Sequence, residues 1–206
     1  MKNTTDKDMK NTTDKDMKNT TETYPEMVRR LIKDPQDVAD SLQQDLLKAD
    51  AAHMGLGLGG EVLELFDNFL EPDFKNILEE SGDVLFYTVG EWLSCRAAEP
   101  MPHLGTYEEL EVTDNFQTCL LRLAHSAEIV LNYSKKYCMY NNPKFKDSDA
   151  FVQAWRETIH FTFMMARIAG YTPGEVMDAN RIKLDGSRYK DGYSDAAAAE
   201  RADKSA

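Results

Sequence analysis

Residues 51–95 read AAHMGLGLGGEVLELFDNFLEPDFKNILEESGDVLFYTVGEWLSC. Apolar residues recur at three- and four-residue steps on both sides of Glu71-Pro72-Asp73, a turn-forming break. The pattern predicts one helix ending near Phe69 and a second from about Asp73 to Cys95, folded back on each other as an antiparallel hairpin. Met54, Leu58 and Leu65 share a face of the first helix with Glu61 and Glu64. Ile77, Val84 and Tyr87 share a face of the second with Glu80 and Asp83. Carboxylates three residues apart lie on the same side of a helix, so the hairpin draws two acidic pairs together at the border of the core. Lys75 is the one basic residue between Glu61 and Asp83. Two carboxylates at roughly 4 Å repel by about 4 kcal/mol at an effective dielectric of about 20. Such a cluster needs a cation, protons or wide separation. An oxygen-only ligand set suits a hard cation, Mg²⁺ first and Mn²⁺ next. Glu79 points away from the pair, either as a supporting acid or as a solvated one.

The remaining chain also reads as helix. Met27, Val28, Leu31 and Ile32 make a short amphipathic segment. Asp34-Pro35 signals a helix start, and Val38, Leu42 and Leu46 continue it at helical spacing. Gly55, Gly57, Gly59 and Gly60 then either break that helix or thin it so that a neighbour can approach closely. A phosphate-cradling loop would need a GKS or GKT ending and a preceding strand, and neither is present. Residues 97–112, with Pro100, Pro102 and Gly105, read as a loop. Thr113-Asp114 can cap a helix reaching about Met139, and Asn141-Asn142-Pro143 ends it. Ser148 or Asp149 opens another helix, which Gly170 closes. Thr172-Pro-Gly-Glu175 is a capping box opening a last helix that carries Asn180 and Lys183. Alternating strand patterns are almost absent. The expected fold is all-α, a bundle around a four-helix core made from the hairpins at 51–95 and 114–170.

Residues 2–8, KNTTDKD, recur at 10–16, with a third degraded copy from Lys18. This repeat has no apolar face with which to offset ordering entropy. Residues 1–22 are therefore expected to form a disordered tail, and 23–206 the folded domain. The chain of 206 residues, 42% apolar, is long enough for one full core. A net charge of −12 disfavours nucleic acid and anionic membrane surfaces. Nothing approaches a membrane-spanning apolar run, and the polar start lacks the apolar core of a secretory leader. Cys95, Cys119 and Cys138 are an odd, widely spaced set without a CxxC pair. A disulfide framework or zinc site is not expected, and a reducing, cytoplasmic setting fits.

HMGLGLGGEVLELFDNFL at 53–70 and NILEESGDVLFY at 76–87 resemble the MazG-type all-α nucleoside triphosphate pyrophosphohydrolases, marked by ExxE, an interval, then ExxD. Asn180-Arg-Ile-Lys183-Leu and Arg188-Tyr-Lys-Asp-Gly-Tyr-Ser194 are similar to the same family's N-x-x-K-L and R-Y-P-x-G-F-S segment. The three motifs stand in the family's order. Arg188 lies five residues beyond Lys183 where the family pattern has four, and Lys190 replaces the usual proline. The longer stretch from 97 to 150 resembles the dimeric dUTPase-like relatives, which pack extra helices beside the catalytic pair.

The resemblance implies hydrolysis of a (deoxy)nucleoside triphosphate to the monophosphate and pyrophosphate, by attack of water at the α-phosphorus. It implies that Glu61, Glu64, Glu80 and Asp83 hold Mg²⁺ and that Glu64 or Glu79 takes the water's proton. Lys183 and Arg188 would stabilise charge on the leaving pyrophosphate, and Asn180 would bond the phosphates or orient Lys183. A homo-oligomer, dimer or tetramer, is implied too. Two other readings compete. A ferritin-like di-metal protein needs two ExxH motifs, and Glu157-Thr-Ile-His160 is the chain's single instance. A non-catalytic helical interaction module would use the acidic charge and exposed helix faces, although Phe161, Phe163, Met164 and Met165 read more naturally as core.

Overall fold

In the computed structural model, the described residues are 23–96, 98–107, 109–140, 142, 148–189, 194 and 196. The repeat tail at 1–22 lies outside them. The chain falls into two compact units that divide between Asp37 and Val38. In the first, helix α1 (Tyr24–Leu31) is opened by Thr23, whose backbone amide and hydroxyl both donate to Glu26. Pro35 then starts α2 (Pro35–Gln43).

The second unit is a helical bundle, and no strand occurs among the described residues. Its members are α3 (Leu46–Phe66), α4 (Phe74–Cys95), α5 (Phe116–Tyr140), α6 (Asp149–Ile168) and α7 (Pro173–Lys183). A 3₁₀ turn spans Leu104–Tyr107, and a π-helical turn, Leu184–Arg188, follows α7 directly. Helices α3 and α4 form one hairpin, and α5 and α6 form the other. The hairpins meet through α3 on α5 and α4 on α6, while α7 lies along α4. Leu58, Leu65, Ile77, Leu123, Trp155 and Phe163 are fully buried between them. Trp155 keeps its indole satisfied by donating from Nε1 to the Thr88 carbonyl at 2.6 Å. Met164 and Met165 are core residues, as their pattern predicts. No helix among the described residues is long and apolar enough to cross a membrane.

Local signals account for most helix ends. Asp73 caps α4 by accepting from the Lys75 and Asn76 amides. Ser148 caps α6, and Gly170, at φ 94°, ends it with the Tyr171 amide bonded to the Ala166 carbonyl at 2.9 Å. The Thr172–Glu175 capping box opens α7 as expected. Two ends differ from the sequence reading. The apolar spacing through Val38, Leu42 and Leu46 suggested one continuous helix, but the chain breaks at Gln44-Asp45. Asp45 there accepts from the Leu47 amide and starts α3 afresh. Asn115, rather than Thr113 or Asp114, supplies the side-chain cap of α5 by accepting from the Thr118 amide.

The glycines of α3 do not break the helix, which runs unbroken from Leu46 to Phe66. They thin it. A Cβ at Gly57 would stand 2.1 Å from the Tyr87 ring, and one at Gly90 would stand 2.3 Å from Met54 Sδ. Each helix of the hairpin thus carries a bare position that receives a large side chain from the other, holding α3 and α4 in fixed register.

Candidate metal centre

The fixed register sets the acids. Ligand oxygens of Glu61 and Glu64 on α3 and of Glu80 on α4 all lie within 4.8 Å of one another. Among the described residues this is the one such group, and no histidine or cysteine joins it. Glu80 is 2% exposed, whereas Glu61 and Glu64 are half-buried at the rim. Burial first, then repulsion from Asp83, Glu64 and Glu80, pushes the Glu61 carboxyl up to about 8. A hydrogen bond between Glu61 and Glu80 acts in the same direction. Without a cation, the cluster therefore meets its own repulsion by retaining a proton near neutrality. Three carboxylates in this arrangement are a fit donor set for a hard divalent ion, which would replace that proton.

Asp83, the fourth predicted ligand, does not belong to the converged trio. It is 6% exposed and close enough to Glu61 to repel its charge. Its two oxygens are engaged from α7. Asn180 Nδ2 donates to Oδ1 at 2.9 Å, and Lys183 Nζ donates to Oδ2 at 2.5 Å. Lys183 also donates to Glu79 Oε1 at 3.0 Å, so Glu79 faces α7 rather than open solvent. Burial alone would depress the Lys183 ammonium, but its hydrogen bonds and charge attraction to Asp83 and Glu79 outweigh this and raise it. The lysine therefore stays charged in the site.

Gly82 makes that bridge possible. A Cβ there would come within 2.8 Å of Asn180 Cβ, so α7 rests on the bare backbone of α4 one residue before Asp83. The sequence reading gave Gly82 no role. Its only signal was an otherwise costly glycine inside a strong helix pattern. The structure thus brings together Glu61, Glu64, Glu80, Asp83, Glu79, Asn180 and Lys183, in two linked groups rather than one ring. Arg188 ends the π-helical turn after α7, and its side chain lies outside the described residues.

The Glu157–His160 pair shows no ligand geometry. Glu157 accepts from Gln153, and His160 packs against the rings of Tyr107 and Phe161. Burial holds the imidazole below its usual range despite the carboxylates of Glu157 and Asp114.

A cavity of about 660 Å³ opens beside Asn180, with walls from α3, α4 and α7. Leu85, Phe86, Val89, Met177 and Tyr189 supply its largely apolar walls.

No protein-family model, curated protein or solved structure matches this chain.

Proposed function

We propose that the protein is a Mg²⁺-dependent hydrolase of (deoxy)nucleoside triphosphates, yielding the monophosphate and pyrophosphate. The convergence of Glu61, Glu64 and Glu80 from two helices carries this reading, because the arrangement is strained without a cation. The resemblance of the ExxE, ExxD and Asn-x-x-Lys segments to MazG-type pyrophosphohydrolases supplies the reaction. Glu61, Glu64 and Glu80 would hold Mg²⁺, or Mn²⁺ in its place, with Asp83 reaching it only when released from Lys183. When bound, the ion would supply neutralisation of triphosphate charge and acidification of a water.

The chain's own residues would do the rest. Glu64 or Glu79 would take the proton from the attacking water. Lys183, held charged by Asp83 and Glu79, would exchange these carboxylates for the leaving pyrophosphate. Asn180 would either follow it to the phosphates or keep Asp83 in place. Arg188 would add a second positive group. The apolar cavity beside Asn180 has the size and proximity for the nucleoside half.

The three cysteines are free and buried, which fits action in a reducing cytoplasm. Leu63, Leu70 and Phe74 are exposed around the α3–α4 turn, which supports a homo-oligomer.

The test is a screen of dNTPs and NTPs with Mg²⁺, detecting pyrophosphate and orthophosphate separately. Pyrophosphate release that EDTA abolishes, and that Glu61→Gln or Asp83→Asn abolishes with the helical circular dichroism intact, is expected. Orthophosphate with a nucleoside diphosphate would place the cleavage elsewhere. No turnover of any nucleotide would favour the interaction-module reading.

A further inference from the structure

The cavity beside Asn180 runs along one side of α4, which lends it Leu85, Phe86, Val89, Gly90 and Leu93 in succession. At one end stands Asn180, which donates to Asp83 and lies against the bare backbone of Gly82. At the other stands Asp50 of α3, exposed at the cavity mouth. Ser94, buried on α4, donates to Asp50 Oδ2 and fixes that carboxylate against the helix. Asp83 and Ser94 are eleven residues apart on α4, a rise of about 16 Å. The cavity therefore leads from the edge of the acidic site to an anchored carboxylate well beyond it.

Most of the lining is apolar, so its few polar groups set what it can select. Arg181 is the one basic residue among the described walls, and its guanidinium is bonded to Asp178 at 3.0 Å. Asp185 also lines the cavity, from the π-helical turn, but no side chain among the described residues anchors it as Ser94 anchors Asp50. A carboxylate has about four lone pairs over its two oxygens. The bond from Ser94 therefore leaves both oxygens of Asp50 able to accept. Phe86, 43% exposed, lines the same cavity and offers a ring against which a flat heterocycle can stack.

We propose that Asp50 selects guanine, so that the preferred substrate is a guanine nucleoside triphosphate. The inference rests on the nucleotide reading above and assigns the base that the cavity takes. Guanine carries a ring N–H and an amino group side by side on one edge. These two donors match the two oxygens of a carboxylate in a charge-assisted, bidentate pair. Adenine and cytosine set an unprotonated ring nitrogen beside their amino group. Uracil and thymine set their single ring N–H between two carbonyl oxygens. Each of these bases would turn an acceptor toward the charge of Asp50, which is a repulsive element against the wrong base. The span along α4 also favours a two-ring base, whose hydrogen-bonding edge lies further from the phosphates than that of a pyrimidine.

The test compares kcat/KM of the full chain with Mg²⁺ on dGTP, dITP, dATP and dCTP, and the binding of dGMP and dAMP by calorimetry. dGTP is expected to exceed dATP and dCTP by about tenfold or more, the discrimination of one bidentate pair. dITP, which lacks the amino group, should fall between. dGMP should bind more tightly than dAMP by a similar factor. Asp50→Asn, which replaces one acceptor oxygen with a donor, should bring the dGTP-to-dATP ratio to within about threefold, with Tm reporting that the fold is intact. Turnover without a guanine preference, or a preference unchanged in Asp50→Asn, would overturn this inference and leave the hydrolase reading standing. A dGMP preference without turnover of any nucleotide would overturn the hydrolysis and uphold the guanine site. Neither turnover nor dGMP binding would overturn both.

Discussion

Glu61→Gln should make the metal-free protein less sensitive to alkaline pH, and the size of the effect follows from the acidic trio. Burial and the charges of Asp83, Glu64 and Glu80 raise the Glu61 carboxyl from 4.5 to about 8. The folded state therefore holds this proton more tightly than the unfolded chain does. For such a group, the stabilisation is fully present below about pH 4.5 and is lost as pH rises through about 8. At about 1.4 kcal/mol for each pH unit the full difference corresponds to roughly 5 kcal/mol. Glu61 is only half-buried, and solvent screening reduces the expressed part to about 1–2 kcal/mol. Glu91 is raised from the same value by its own burial and contributes a slope of the same sign, so the difference between wild type and variant isolates Glu61. Urea unfolding in EDTA at intervals from pH 5 to pH 9 is the assay. Wild type should lose about 1–2 kcal/mol relative to Glu61→Gln across that range. A difference that stays constant with pH would refute the reasoning, because the trio would then not be sharing a proton.

Two substitutions probe the α4–α7 bridge. Gly82→Ala forces a methyl to within 2.8 Å of Asn180 Cβ and should cost about 1–3 kcal/mol by overpacking, measured by denaturation, while lowering turnover by displacing Asn180 and Lys183. Lys183→Met strips the ammonium from nearly buried Asp83 and should cost about 3 kcal/mol in EDTA, with divalent ions recovering part of the loss; a variant as stable as wild type would show that the pair contributes nothing.

The hairpin was legible because its two halves carry clean 3.6-residue apolar stripes interrupted by Glu-Pro-Asp. Thr172, Glu175, Ser148 and Gly170 announced their own helix ends through local chemistry. The break at Gln44-Asp45 was hidden, since Val38, Leu42 and Leu46 keep helical spacing straight across it. Part of what holds it is distant: Tyr137 donates to Asp45, and Ser41 donates to the Cys138 carbonyl. The candidate site divides in the same way. Local spacing put Glu61, Glu64 and Glu80 together. The engagement of Asp83 depends on partners 97 and 100 residues away and on a bare spot at Gly82, which periodicity along one helix does not encode. Glu91 was within reach of the argument that singled out Glu80, being an acid in an apolar stripe. It stands alone, with no second acid three residues away to mark it.

The central claim is that Glu61, Glu64 and Glu80 converge to hold one hard divalent ion. Isothermal titration of Mg²⁺ into the full chain, in two buffers of different ionisation enthalpy at pH 7, tests it most directly. The account predicts saturable binding with release of a proton, and at least tenfold weaker binding with the release lost in Glu80→Gln. Absence of binding, or binding unchanged by that substitution, would contradict it.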